Sequence, residues 1–246
     1  MKIITCISDE ENPGYVYGLK ASCKYFGLDL TAIVTKDKIW ETHRNKDTEL
    51  FNALRVLPMD EIVLFTDGYD TFFIGNEKEI INRYDSARDG KNLLITAEKC
   101  CFPATFLSDQ FHDVPSEFKF VNSGGIIGNV EAFLNALNEI NKIQIEEKSK
   151  DNLFPYSNQY LWMLYYIRNK EKISLDYQCQ LFQALTPNVS TFSILRDMDE
   201  DIAKRQDYVK NEFEKVNNDF EVDRSFNFKN KLTGKYPIHL HFNSPI

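Results

Sequence analysis

The stretch Glu61-Ile62-Val63-Leu64-Phe65-Thr66-Asp67-Gly68-Tyr69-Asp70 decides how this chain is read. Positions 62–66 form a continuous run rich in apolar and β-branched residues, the pattern of a strand buried on both faces. The run breaks at once into two carboxylates separated by Gly and Tyr. In open α/β sheets, ligands bind beyond the carboxyl ends of the strands. Two acids so close repel unless they are paired or bound to a cation, and carboxylate oxygens suit Mg²⁺ and Mn²⁺. The plain alternative is a polar turn in which Asp67 caps the segment that follows.

Outward from this strand the pattern is α/β. Residues 2–7 predict a strand that opens into a polar turn over 8–14. Helical spacing over 15–26 and a second strand over 28–34 follow, the start of a doubly wound sheet. A helix is expected over 48–57, closed by Pro58. Downstream, 77–87 reads as an amphipathic helix and 92–97 as a central strand. Residues 118–127 form an apolar segment interrupted by Asn122-Ser123-Gly124-Gly125. Helices are expected over 130–143 and 158–169, with short strands at 173–175 and 181–182. From 193 to 218 the chain turns charged and helical, and 236–245 returns to strand-like alternation. No repeat or linker is visible, so one domain over 1–246 is expected, with a helical insertion at about 193–218.

The chain has 246 residues, 43% of them hydrophobic and 27% charged, and a net charge of −8. That composition supports a packed core and disfavours a nucleic-acid partner. An acidic protein that handled an anionic ligand would need a local reversal of field, which a divalent cation supplies. The start MKIITCISDE has no apolar run of signal-peptide length, and no stretch is long enough to span a bilayer. The five cysteines lack CxxC spacing and read as free thiols. A cytoplasmic location without membrane attachment is expected, which leaves the sequon Asn188-Val189-Ser190 without meaning.

Three further features carry chemistry. His239 and His241 alternate along one strand and share a face, so His241 is the natural third ligand beside Asp67 and Asp70. An edge strand with two surface histidines is the alternative. An imidazole among carboxylates favours Mn²⁺ over Mg²⁺. The glycines of the Asn122–Gly125 segment allow close approach to a ligand, and Asn and Ser offer partners for a sugar; a bulge or tight turn is the alternative. Tyr69, inside the acidic turn, offers a ring for stacking on a base, and Trp40 could serve likewise or cover the core. GxGxxG, Walker and GxSxG motifs are absent from the sequence, so phosphate binding falls to a metal.

Read in order, IVLFTDGYDTFF, LLITAEKCCFP, FKFVNSGGIIGN, SNQYLWML, LDYQCQLFQAL and HFNSP resemble the glycosyltransferase domain of the procollagen lysyl hydroxylases. The opening TCISDEENPGY and Trp40 fit as well. The resemblance implies a GT-A fold, a Rossmann-like nucleotide-sugar-binding α/β domain whose mixed, mostly parallel sheet is flanked by helices. It also implies a UDP-sugar donor and Mn²⁺, with Mg²⁺ as the alternative. Asp67, Asp70 and His241 match the family's metal ligands. Thr5, Ser8, Trp40, Lys46, Tyr69, Asn122, Ser123, Gly124, Gly125 and Asn243 match positions around the donor. Where the family carries an acidic pair before Gln, this chain has Ser157-Asn158-Gln159. Asn158 and Gln159 are therefore expected to position donor sugar or acceptor rather than act as bases. Asp176 matches a family position for which a structural role is an equal alternative. The given sequence ends before a basic residue the family carries and lacks its hydroxylase domain, so no iron chemistry is expected.

The resemblance implies glucosyl transfer from UDP-glucose to a galactosyl-hydroxylysine or related sugar on a collagen-like acceptor, with retention of configuration. Since no carboxylate nucleophile is evident, a front-face route is expected. Alternatives are galactosyl transfer from UDP-galactose to hydroxylysine, a non-catalytic collagen-binding module of the same fold, and a sugar-nucleotide hydrolase. A homodimer is compatible with the sequence.

Overall fold

A computed structural model describes residues 1–35, 44–111, 113–150, 154, 157–186, 202–225 and 227–243. Its centre is a six-stranded sheet in the order β2-β1-β3-β6-β5-β7. The strands are β1 (Lys2–Ile7), β2 (Leu30–Val34), β3 (Ile62–Thr66), β5 (Leu93–Glu98), β6 (Phe120–Asn129) and β7 (Ile173–Leu175). β1 runs parallel to β2 and β3, and β5 to β7, while β6 is antiparallel to both its neighbours. A second sheet sets β11 (His239–His241) between β4 (Thr71–Phe73) and β8 (Phe182–Ala184). β9 (Phe220–Val222) and β10 (Phe228–Asn230) form an antiparallel hairpin.

The pleat divides each central strand between two cores. Ile4, Val63, Phe65 and Ile95 face a cluster covered by α2 (Asn45–Leu54), α4 (Val130–Lys148) and α5 (Asn158–Arg168). Ile3, Leu64, Leu94 and Ile127 face the other side. There they meet a π-helical turn (Gly14–Lys20) that runs into α1 (Ala21–Phe26), the helix α3 (Glu77–Ala87), Phe73 and Phe182 of the small sheet, and Ile238 just before β11. Helix starts follow their caps: Asn76 and Glu79 form a capping box on α3, and Asn129 and Ser157 accept from the first turns of α4 and α5.

Most expected elements are in place, with instructive shifts. α2 spans Asn45–Leu54, three residues earlier at both ends than expected, because a turn of three residues separates it from Pro58. The Asn122–Gly125 segment does not interrupt its strand. β6 runs through it, pairing with β3 from Gly125 to Asn129, while its register with β5 slips between Ile95 and Thr96. The bulge alternative is the one observed. β4 and a 3₁₀ turn at Thr105–Gln110 went unread. In the expected insertion, α6 covers Ile202–Asn218, and 193–201 lies outside the described residues. All five cysteines are free and buried. Among the described residues, no helix is long and apolar enough to cross a membrane.

Candidate active site

β3 hands the chain to β4 through the acidic bend, and backbone bonds fix that bend from both sides. The Asp67 N–H donates to Gly124 O of β6 at 3.0 Å, and Phe242 N–H donates to Asp70 O at 2.8 Å. β11 pairs antiparallel with β4, setting His241 opposite Thr71. The imidazole therefore arrives beside the bend although most of the chain separates them. His241 Nε2 lies 3.3 Å from Asp70 Oδ2 and 3.8 Å from Asp67 Oδ2. One ligand atom from each of the three residues lies within 4.8 Å of the others. The edge-strand alternative for the histidines is overturned: β11 is the middle strand of its sheet, and His239 and His241 are both buried.

The two histidines have different surroundings. His239 Nε2 meets Thr66 Oγ1 at 2.7 Å between the edges of Phe73 and Phe182, and burial pushes its pKa down to about 3, so it is neutral packing. For His241, burial works against the charged form. The carboxylates of Asp70, Asp67 and Glu98 outweigh it, and the pKa rises. Burial alone would raise Asp70, but His241 and Lys46 hold it below its ordinary value.

These residues fit a divalent cation. His241 Nε2 is buried and has no hydrogen-bond partner among the described residues, although two carboxylates stand near it. The other ring nitrogen, Nδ1, meets Asn122 Oδ1 at 3.1 Å. That oxygen also accepts from Gly124 N–H at 2.9 Å, while Asn122 Nδ2 donates to Glu98 at 3.1 Å. The network assigns the proton of the neutral ring to Nδ1, which turns the Nε2 lone pair toward the acids. Gly124 makes room for this ring: a Cβ there would stand 2.1 Å from His241 Cε1. A Cβ on Gly125 would meet Thr96 and Phe182. The glycine pair thus clears space for the histidine and the small sheet.

The remaining expected residues divide into groups. Lys46 Nζ pairs with Asp67 Oδ1 at 2.6 Å, leaving Oδ2 on the His241 side. The Tyr69 hydroxyl accepts from the N–H groups of Ser8 and Asp9, both at 2.7 Å, and meets Ser8 Oγ at 3.0 Å. Tyr69 and Ser8 are thereby locked together beside the bend. Thr5 is fully buried, its hydroxyl has no hydrogen-bond partner among the described residues, and a Cβ on Gly68 would come within 2.9 Å of it. Trp40 lies outside the described residues.

Glu98, at the end of β5, was missed. It is 2% exposed and collects Asn122 Nδ2, Gln159 Nε2 at 2.7 Å and Asn243 Nδ2 at 2.7 Å. Thr186 links Asn243 to the same carboxylate. Burial pushes the Glu98 pKa up to about 7, while the amides pull it back. Gln159 also meets Ser123 N–H and Phe102 O, so the expected Gln159, Ser123, Asn122 and Asn243 converge around Glu98. A glutamate closing an apolar strand was the available signal, the same one that marked Asp67.

Asn158 is the clear correction. It is 2% exposed and turned away from this cluster, donating to Asp47 Oδ1 at 2.6 Å. Its amide is thereby committed to Asp47 of α2. Asp176 takes the structural alternative: fully buried, it accepts the N–H groups of Gln180, Leu181 and Phe182.

A mixed sheet with a clustered acid pair and histidine at its rim is the GT-A glycosyltransferase architecture. The fold is shared with mouse xyloside xylosyltransferase 1, with a TM-score of 0.54 and 13% identity over 100% of this chain and 99% of that one. The family model described as the PLOD GT domain matches residues 2–218, and the chain belongs to that family of glycosyltransferase enzymes. His241 and Asn243 lie past the matched residues, so they join the site by geometry. An uncharacterized protein of Acanthamoeba polyphaga mimivirus is 24% identical over 81% of this chain and 35% of its own length. The human multifunctional procollagen lysine hydroxylase and glycosyltransferase LH3 is 32% identical over 51% of this chain. The chain spans 16% of LH3 in that match, a small part of the larger protein.

Proposed function

We propose that this glycosyltransferase uses UDP-glucose as donor and a galactosyl-hydroxylysine or related sugar on a collagen-like protein as acceptor, with Mn²⁺ held by Asp67, Asp70 and His241. One observation carries the metal reading: a buried imidazole nitrogen without a hydrogen-bond partner among the described residues, aimed at two carboxylates. Bound there, the ion supplies Lewis-acid stabilisation of the charge on the departing diphosphate. The collagen-like acceptor is suggested by the procollagen named in the human relative, and the glucosyl donor rests on the sequence resemblance alone.

The chain's own groups supply the rest. Lys46 adds positive charge on the side of Asp67 opposite His241. Tyr69, pinned through its hydroxyl, offers a fixed ring to the uracil. Gln159 and Asn243 line the Glu98 side with Ser123, and their amides and the Ser123 hydroxyl orient donor sugar or acceptor. Glu98 is a carboxylate the sequence reading did not foresee, yet both its oxygens are occupied by donors. We read it as an organiser and keep the front-face route as the proposal. In that route the acceptor hydroxyl bonds to the anomeric carbon as the carbon–phosphate oxygen bond breaks, and its proton passes to the leaving phosphate.

The test is sugar transfer with UDP-glucose and UDP-galactose, with and without Mn²⁺, to galactosyl-hydroxylysine and to hydroxylysine peptides. Mn²⁺-dependent glucose transfer to the first acceptor is expected. Preference for UDP-galactose and hydroxylysine would establish the neighbouring galactosyl reading. UDP release that no acceptor stimulates would point to a hydrolase.

A further inference from the structure

We propose that Asp47 is a positioning residue for donor binding, fixing the first turn of α2 so that Lys46 stays on Asp67. The inference rests on the reading that Lys46 stands beside the donor. Asp47 is 3% exposed, a costly place for a carboxylate unless donors surround it. Three do. Oδ1 accepts from Asn158 Nδ2 at 2.6 Å and from Trp162 Nε1 at 3.1 Å, both on α5. Oδ2 pairs with the guanidinium of Arg44, which reaches across to Asn141 Oδ1 at 2.6 Å and Gln144 Oε1 at 3.4 Å on α4. One carboxylate thus ties the start of α2 to two other helices.

Neighbouring residues on a helix point about 100° apart. With Asp47 turned into α5, Lys46 is turned to the sheet rim, where its ammonium meets Asp67 and its carbonyl accepts from Cys6 Sγ of β1. A rotation or slide of α2 would withdraw the ammonium. The identity of residue 158 is matched to this task. Its amide donates to Asp47, whereas a carboxylate there would set two negative charges in contact. Because Asp47 must accept, the amide orientation is fixed, and Asn158 Oδ1 is left without a hydrogen-bond partner among the described residues.

The experiment is calorimetric titration of UDP into the whole chain in MnCl₂, alongside thermal unfolding. The variants are Asp47→Asn, Lys46→Ala, their double, Asn158→Asp, and the swap Asp47→Asn/Asn158→Asp. Asp47→Asn is expected to weaken UDP binding about 10-fold and to cost nothing further in the Lys46→Ala background. The swap is expected to recover binding over either single variant, since the amide at 47 then donates to the carboxylate at 158. An equal loss with and without Lys46, or folded Asp47→Asn that binds UDP like wild type, would overturn the proposal. Should Asp47→Asn not fold, Asn158→Asp takes its place in the cycle with Lys46→Ala and the same outcomes decide. Wild-type protein that binds no UDP would remove the donor reading itself, and this inference with it.

Discussion

Asn122 stands between two polar clusters that are satisfied in different ways. On one side its oxygen faces His241, whose far nitrogen has no hydrogen-bond partner among the described residues beside two partly exposed carboxylates. On the other side its amide helps to saturate Glu98, which already holds Gln159 and Asn243. The acidic bend concentrates negative charge that Lys46 and His241 alone offset among the described residues, an arrangement suited to a further cation. The Glu98 carboxylate itself is saturated by the chain's own amides and buried, while Gln159 and Asn243 stay half-exposed at its rim. The bend carries the proposed ion, and Glu98 holds the side chains beside it.

The largest expected effect falls on the open side. Asp70→Ala should lower UDP-sugar turnover by about 10²–10³-fold, and raising Mn²⁺ should not restore it; near-normal turnover would show that the bend holds no catalytic ion. The buried side is probed by pH. Because the folded Glu98 pKa of about 7 lies above the ordinary 4.5, the folded state keeps its proton longer than the unfolded state does. This group's stabilising contribution is therefore present below pH 4.5 and is lost as pH rises toward 7. Between those limits wild type should lose about 3 kcal/mol relative to Glu98→Gln. Parallel stability–pH curves for the two proteins would deny that burial governs Glu98. A smaller effect is expected at the shared residue. Asn122→Ala should weaken Mn²⁺ binding by about 10–100-fold, read by calorimetry, because the His241 ring loses the partner that sets its tautomer.

The sequence made the open side legible and the closed side nearly invisible. The bend at Asp67 and Asp70 declares itself because charge follows a buried strand without transition, and α3 and β7 were readable to the residue because cap and periodicity agree. Glu98 follows an apolar strand too, yet a single acid there resembles any strand end; its meaning comes from three amides contributed by distant segments. Asn158 was misplaced for the same reason. Nothing local says that Asp47 is buried, and it is Asp47 that decides where the amide points. β4 is three residues long and draws its identity from pairing with β11, which no local window contains.

That pairing has a consequence for how the protein comes to be. The imidazole reaches the acids only when the strand at His239–His241 slots between two partners made much earlier, one of them closing a loop from Thr71. Closing so long a loop is entropically late. A chain still emerging from the ribosome would carry the paired acids with no histidine opposite them. On the proposed metal reading, the ion can be held by all three ligands only after this last strand is in place.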